Sequence, residues 1–147
     1  MLNAGILAIL SGLTAQALKV VVELLRHRRW RPRLFFANGG MPSSHTATVV
    51  TLSVLIGHEH GLHDPVFSVV LVFAIYVIFE ATGLRQEIGH QARLLNDLVE
   101  TLRRTHHLDT QDLREFVGHT WGEVVGGVIC GLLFALVYLQ IALMLDR

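Results

Sequence analysis

The sequence predicts an all-α membrane protein, a polytopic helical bundle of about four transmembrane helices plus a cytoplasmic amphipathic helix. Three observations predict it. Of the 147 residues, 52% are hydrophobic and 16% charged, with a mean hydropathy of +0.50, too apolar for an ordinary soluble domain. The apolar residues gather in four stretches, 4–25, 43–61, 65–84 and 122–145, each near the roughly 20 residues that a hydrocarbon core demands. Between the third and fourth stretches, leucines recur at helical spacing among charged residues. No repeat or low-complexity tract divides the chain, so residues 1–147 read as a single membrane-embedded domain.

The first stretch ends its early part in Ala15-Gln16-Ala17, the pattern of a signal-peptidase site. No positive residue precedes it, and apolar sequence runs on past Lys19, so an uncleaved first span is expected. A basic cluster follows, Arg26-His27-Arg28-Arg29-Trp30-Arg31-Pro32-Arg33. Gly39 and Gly40 then let the backbone turn, and Pro42 suits the first turn of the second helix. That turn would hold Ser43, Ser44 and His45. A helix start already favours anions through its unpaired N–H groups and dipole, so two hydroxyls and a histidine there suggest a phosphate site with a proton donor. The bland alternative is a capped helix whose histidine bonds a neighbour.

The second stretch has the shortest strictly apolar part and ends in His58-Glu59-His60-Gly61-Leu62-His63-Asp64. Such a turn could grip a transition metal only weakly, because it lacks a structural ligand pattern such as paired cysteines. The third stretch carries Glu80 near its end, five residues before Arg85. Beyond it, Leu94, Leu95, Leu98 and Leu102 alternate with Asp97, Glu100, Arg103 and Arg104 as in an amphipathic interfacial helix. Asp109-Thr110-Gln111-Asp112 offers caps for a short helix that Gly118 can end. The fourth stretch contains Cys130, the single cysteine, which excludes an internal disulfide and a thiolate metal cluster.

Four crossings would bring the end of the first span, the start of the second, the end of the third and the start of the fourth to one membrane face. Eleven of the twelve Lys and Arg residues fall on or near that face; Arg147 lies beyond the far end. The positive-inside rule makes this face and the loop 86–118 cytoplasmic, in a bacterial-type plasma membrane, with both termini outside.

His119 and Glu123 are four apart, one turn from each other on one helix face. A carboxylate so placed can hold one ring nitrogen as N–H and leave the other as nucleophile or base. Ionisable residues inside or at the edge of spans are costly and usually functional. Lys19, Glu23 and Glu80 are of this kind. Lys19 and Arg85 could neutralise a phosphoryl group at the cytoplasmic rim; snorkelling of Lys19, or a pair with Glu80, is the structural alternative.

These stretches resemble the divergent branch of the type-2 phosphatidic acid phosphatase superfamily, membrane phosphatases related to vanadium haloperoxidases. The likeness rests on Ala15-Gln16-Ala17-Leu18-Lys19, on Gly39-Gly40-Met41-Pro42-Ser43-Ser44-His45-Thr46-Ala47, on Ala81-Thr82-Gly83-Leu84-Arg85 with Gly89, Gln91, Ala92 and Asn96, and on Gly118-His119 with Glu123-Val124. It covers nearly the whole chain in the expected order. Against the wider superfamily, Lys19 and Arg26 keep the first motif's spacing, with His27 in place of proline. Ser44 replaces the glycine of Pro-Ser-Gly-His, and Glu123 the aspartate of the third motif. Leu113 stands where that motif has arginine, with Arg114 adjacent and Arg85 another possible substitute. Glu80 and Gln86 stand where the branch has aspartate and a second basic residue.

The resemblance implies a two-step hydrolysis of a lipid or isoprenoid (pyro)phosphate by a metal-independent histidine phosphatase. His119 would be the nucleophile, Glu123 would orient it, and His45 would be the general acid. Lys19, Arg26, Gly40, Ser43, Ser44 and Arg85 would bind phosphate, with Glu80, Asn96 and Arg114 in support. It implies no cofactor, with vanadate able to mimic phosphate, and as partners membrane lipids and a phosphorylated lipid substrate but no nucleic acid. Two other classes compete: a non-catalytic protein that binds phosphorylated lipid headgroups, and a small transporter with Lys19 and Glu80 as polar relay. Finally, Gly118, Gly122 and Gly126, with Gly127 and Gly131, form small-residue stripes on the fourth span. They predict a homo-oligomer, most simply a symmetric dimer, through the second stripe.

Overall fold

A computed structural model of the chain describes residues 3–28, 30–37, 39–106 and 120–145, with residues 84–86 and 104–106 described by backbone alone. Among the described residues it is all helical: α1 (Ala4–His27), a short 3-10 turn (Pro32–Phe36), α2 (Ser44–His60), α3 (Pro65–Thr82), α4 (Leu84–His106) and α5 (Trp121–Leu145). Local chemistry sets the ends. Asn3 caps α1 by accepting the Gly5 N–H at 2.8 Å, and Asp64 caps α3 by accepting that of Val66 at 2.7 Å. Asp64, at the end of the histidine-rich turn, is therefore used as a cap.

Three helices, α1, the run beginning with α3, and α5, are long and apolar enough to cross a membrane. The second expected span, α2, has 17 residues and falls short by that measure. Its place in the bundle explains its composition. It packs on α1, α5 and α3 in turn, while α1 and α3 make no contact with each other. A helix so enclosed can carry Ser44, Thr46 and Thr51 as buried residues without facing lipid.

Glycines and hydroxyls make α2 fit. A Cβ on Gly12 of α1 would collide with Thr48 Oγ1. A Cβ on Gly127 of α5 would lie 2.6 Å from the Ser43 carbonyl oxygen, and one on Gly131 would lie 2.7 Å from that of Ala47. The second small-residue stripe is thus spent on α2, within one chain; sequence pattern shows that a backbone can approach closely but not which partner it meets. A dimer would have to form through another surface. Deeper in the bundle, Thr51 Oγ1 lies 2.8 Å from Ser11 Oγ and 3.0 Å from the Gly131 carbonyl oxygen, tying α1, α2 and α5 together. Below it, Ala4, Leu7, Leu55 and Ala135 form the apolar core at the end remote from Lys19.

The charged segment becomes helical earlier than its leucine pattern predicts. α4 starts at Leu84, directly after α3, with only Gly83 between them. Leu94, Leu95 and Leu98 are exposed, and among the described elements α4 contacts only α3. The expected caps at 109–112 and the helix end at Gly118 lie outside the described residues.

Candidate functional site

The turn that opens α2 is built as the glycines predict. Gly39 and Gly40 have φ of 91° and 90°, values that a side chain resists. Gly40 is also a close approach: a Cβ there would lie 3.0 Å from Lys19 Cδ. The helix begins two residues later than Pro42 suggests. Pro42 precedes the cap, and Ser43 is the cap, its Oγ accepting from the Thr46 N–H at 3.4 Å and the Thr46 hydroxyl at 3.1 Å. Ser43 is fully buried, and its N–H donates to the Glu123 carbonyl oxygen at 2.9 Å. Its hydroxyl therefore caps α2, while its N–H ties the start of α2 to α5.

Lys19 is 3% exposed, an unusual state for an ammonium in a helix facing a bundle interior. Its Nζ donates to the Ala37 carbonyl oxygen at 3.3 Å, and its stem lies beneath Gly40. Together with Glu23, Arg26, Gly40 and Glu123 it lines a cavity of about 360 Å³. The walls come from the end of α1, the glycine turn and the start of α5. Two cations and a positive-φ turn thus share one recess. Glu23 is held at the rim, 3.0 Å from His27 Nδ1 and 3.7 Å from Arg31 Nη1.

Glu123 has a local duty that sequence reasoning missed. The Thr120 N–H donates to Glu123 Oε2 at 3.1 Å, and the Glu123 N–H donates to Thr120 Oγ1 at 3.3 Å. This reciprocal capping box opens α5, and its signal was present in Thr120-Trp121-Gly122-Glu123. Glu123 also lines the same cavity as Lys19.

The remaining expected residues divide. Ser44 and His45 do not line the Lys19 cavity. They face a second cavity of about 420 Å³ between α1, α2 and α3, and His45 also joins Glu80 in a third of about 310 Å³. The reason is their place in the chain: Gly40 belongs to the turn that precedes α2 and crosses over Lys19, whereas Ser44 and His45 are already in the first turn of the helix and line its other flank. Asn96 lies on α4 and lines none of these three cavities. Arg85 falls in the first turn of α4, where only the backbone is described. His119 and Arg114 lie outside the described residues; in sequence, His119 immediately precedes Thr120, which lines the Lys19 cavity.

Comparison with known proteins agrees with the helical membrane architecture. The profile of the Divergent PAP2 family matches residues 3–134. The chain is 36% identical over 134 residues to the uncharacterized membrane protein YuiD of Bacillus subtilis (strain 168), covering 84% of this chain and 85% of that protein. No solved structure gives a significant match.

Proposed function

The chain belongs to the Divergent PAP2 family, and from that premise we propose that it is an integral-membrane phosphatase that hydrolyses a lipid or isoprenoid (pyro)phosphate through a phosphohistidine. One observation carries the reading: the buried Lys19 and the exposed Arg26 line one recess with the Gly40 turn and the α5 start, which follows His119 in sequence. Cations and fixed dipoles in a recess away from bulk water stabilise a phosphoryl transition state strongly. The family resemblance supplies the roles.

In this reading α2 is a fourth crossing, the recess faces the cytoplasm and α4 lies along the interface. The phosphoryl group sits on the Lys19 and Arg26 side. A ring nitrogen of His119 attacks phosphorus, the bond to the ester oxygen breaks, and His45 gives that oxygen a proton. Water then attacks the phosphohistidine, losing a proton to His45, and the P–N bond breaks to return His119. Since His45 faces the neighbouring cavity, the scissile bond lies at the wall between the two, over the start of α2.

Purified protein in lipid nanodiscs, given a panel of lipid and prenyl phosphates with and without vanadate, tests this. Vanadate-sensitive phosphate release is expected, lost in His119→Ala and in His45→Ala while both variants stay folded. Wild-type turnover in either folded variant would sink the mechanism. A second reading has its own support: the Glu123 carboxylate already caps α5, and His45 faces away from the cations. That arrangement suits a non-catalytic binder of phosphorylated headgroups. Vanadate or headgroup binding that depends on Lys19, with no phosphate release from any substrate, would favour it.

A further inference from the structure

The two cavities at His45 differ in kind from the Lys19 recess. Among the described residues that line them there is no Lys or Arg. The larger is a cleft with α2 as its floor and α1 and α3 as walls that do not touch each other. Its sides are apolar, including Leu13, Phe73 and Val77. One corner is polar, where Gln16, Ser44, His45 and Thr48 converge. In that corner the Thr48 hydroxyl is already spent on the Ser44 carbonyl oxygen at 2.9 Å. Gln16 Oε1, by contrast, is buried and has no hydrogen-bond partner among the described residues. A buried acceptor left without a partner is costly, and a donor placed there removes that cost.

The adjoining cavity shares His45, Phe73 and Val77 and adds the Glu80 carboxylate. A carboxylate near the corner, with no lysine or arginine among the described residues that line either cavity, disfavours an anion there. The requirement is for a neutral O–H donor on a long apolar body.

We infer that the α1–α3 cleft binds a long-chain alcohol, its hydroxyl donated to Gln16 Oε1 beside His45 and its chain laid between Leu13 and the Phe73–Val77 face of α3. The role rests on the phosphatase reading: the alcohol is the leaving group, whose oxygen takes the His45 proton as its bond to phosphorus breaks. The cleft is then the exit for the lipid half, and the phosphoryl half stays beside Lys19. Binding itself requires no turnover.

Two photoreactive probes, a diazirine analogue of farnesol and one of dioctanoylglycerol, test the site on the full chain in nanodiscs. Crosslinks are expected on α1 and α3 peptides, and the probe that labels tells a prenyl alcohol from a glyceride. Gln16→Leu, nearly the same size but without the acceptor, should reduce labelling about tenfold, as expected for roughly one lost hydrogen bond. Val77→Trp, which fills the cleft, should reduce it independently. Labelling undiminished in both variants, or centred on α5 peptides, overturns the proposal. Phosphate release is a separate readout. Gln16-dependent labelling by a wild type that releases no phosphate would defeat the phosphatase reading and leave the alcohol site standing. Release with Gln16-independent labelling would do the reverse.

Discussion

The two flanks of α2 are built differently. Toward α5 the helix is sealed by Gly127 and Gly131, by the main-chain bond from Ser43 to Glu123, and by Thr51 reaching Gly131. Toward α3 a cleft remains, with a Gln16 oxygen that has no partner among the described residues. In lipid no hydrophobic force drives helices together, so close packing and interhelical hydrogen bonds decide which surfaces join. The sealed flank fixes the glycine turn over Lys19 and the start of α5. The open flank leaves room beside His45. The segment from Gly40 to His45 thus meets a closely packed side and a side with room beside it.

The largest effect is expected where the sealed flank is forced apart. Gly127→Leu drives side-chain atoms into the Ser43 carbonyl oxygen and Thr46, and overpacking against backbone should cost about 3 kcal/mol or more. Among the described residues Gly122→Ala meets nothing nearer than Thr120 Oγ1 at 3.9 Å, and it should not destabilise the protein. Thermal unfolding in mild detergent separates the two. Should Gly127→Leu keep its melting temperature yet lose self-association, the stripe would face a second copy after all, and the sealed flank would be misread.

Next in size is the cation beneath the turn. Lys19→Met keeps the stem that packs on Gly40 and removes the charge. Turnover should fall about a hundredfold or more, as for loss of one preorganised transition-state contact. Little change in turnover would mean that the phosphoryl group lies elsewhere, and the open flank would then be the first place to look.

The sequence made much of this flank-by-flank design legible, but not all. The glycine turn was readable because two adjacent glycines before a proline have few other uses, and both do take positive φ. The membrane helices were readable from their apolar runs, though not the Asn3 and Asp64 caps that open two of them. The division of the motif was not. Span counting says which membrane face a residue reaches, whereas the flank of α2 that it faces depends on rotation about the helix axis and on neighbours far away in sequence. Ser11 and Thr51 were missed for a similar reason: a hydroxyl inside an apolar run gives no sign that its partner is 40 residues away. Glu123 was legible twice, once as a partner for His119 and once as a capping-box residue, and only the second is visible in the described residues.

Glu123→Gln sharpens that double role. Glutamine can still accept from the Thr120 N–H, so the α5 start and the melting temperature should hold. A neutral amide no longer stabilises a positive imidazole at His119, so turnover should drop about tenfold, a modest share of what a positioned acid or base contributes. Unchanged turnover with unchanged stability would reduce Glu123 to a cap. A drop in both would mean that the capping box and the recess cannot be separated.

The smallest effect is expected from Thr51→Val, and it probes the sealed flank from its far end. Valine matches the shape of threonine, so packing against Ser11 and Gly131 is kept and only the hydroxyl is lost. Interhelical hydrogen bonds in membrane bundles are worth about 0.6 kcal/mol on average and up to about 2 in model helices, and the Gly131 carbonyl keeps its own helical bond. A loss of about 1 kcal/mol in unfolding free energy is therefore expected, with turnover unchanged, because Thr51 lines neither the Lys19 recess nor the His45 cleft. A reversible unfolding titration in detergent reads the first quantity and phosphate release the second. Unchanged stability would mean that glycine packing alone seals α2 to α5. A change in turnover at normal stability would mean that the polar link transmits motion between the two flanks, and they could no longer be treated as independent sides of one helix.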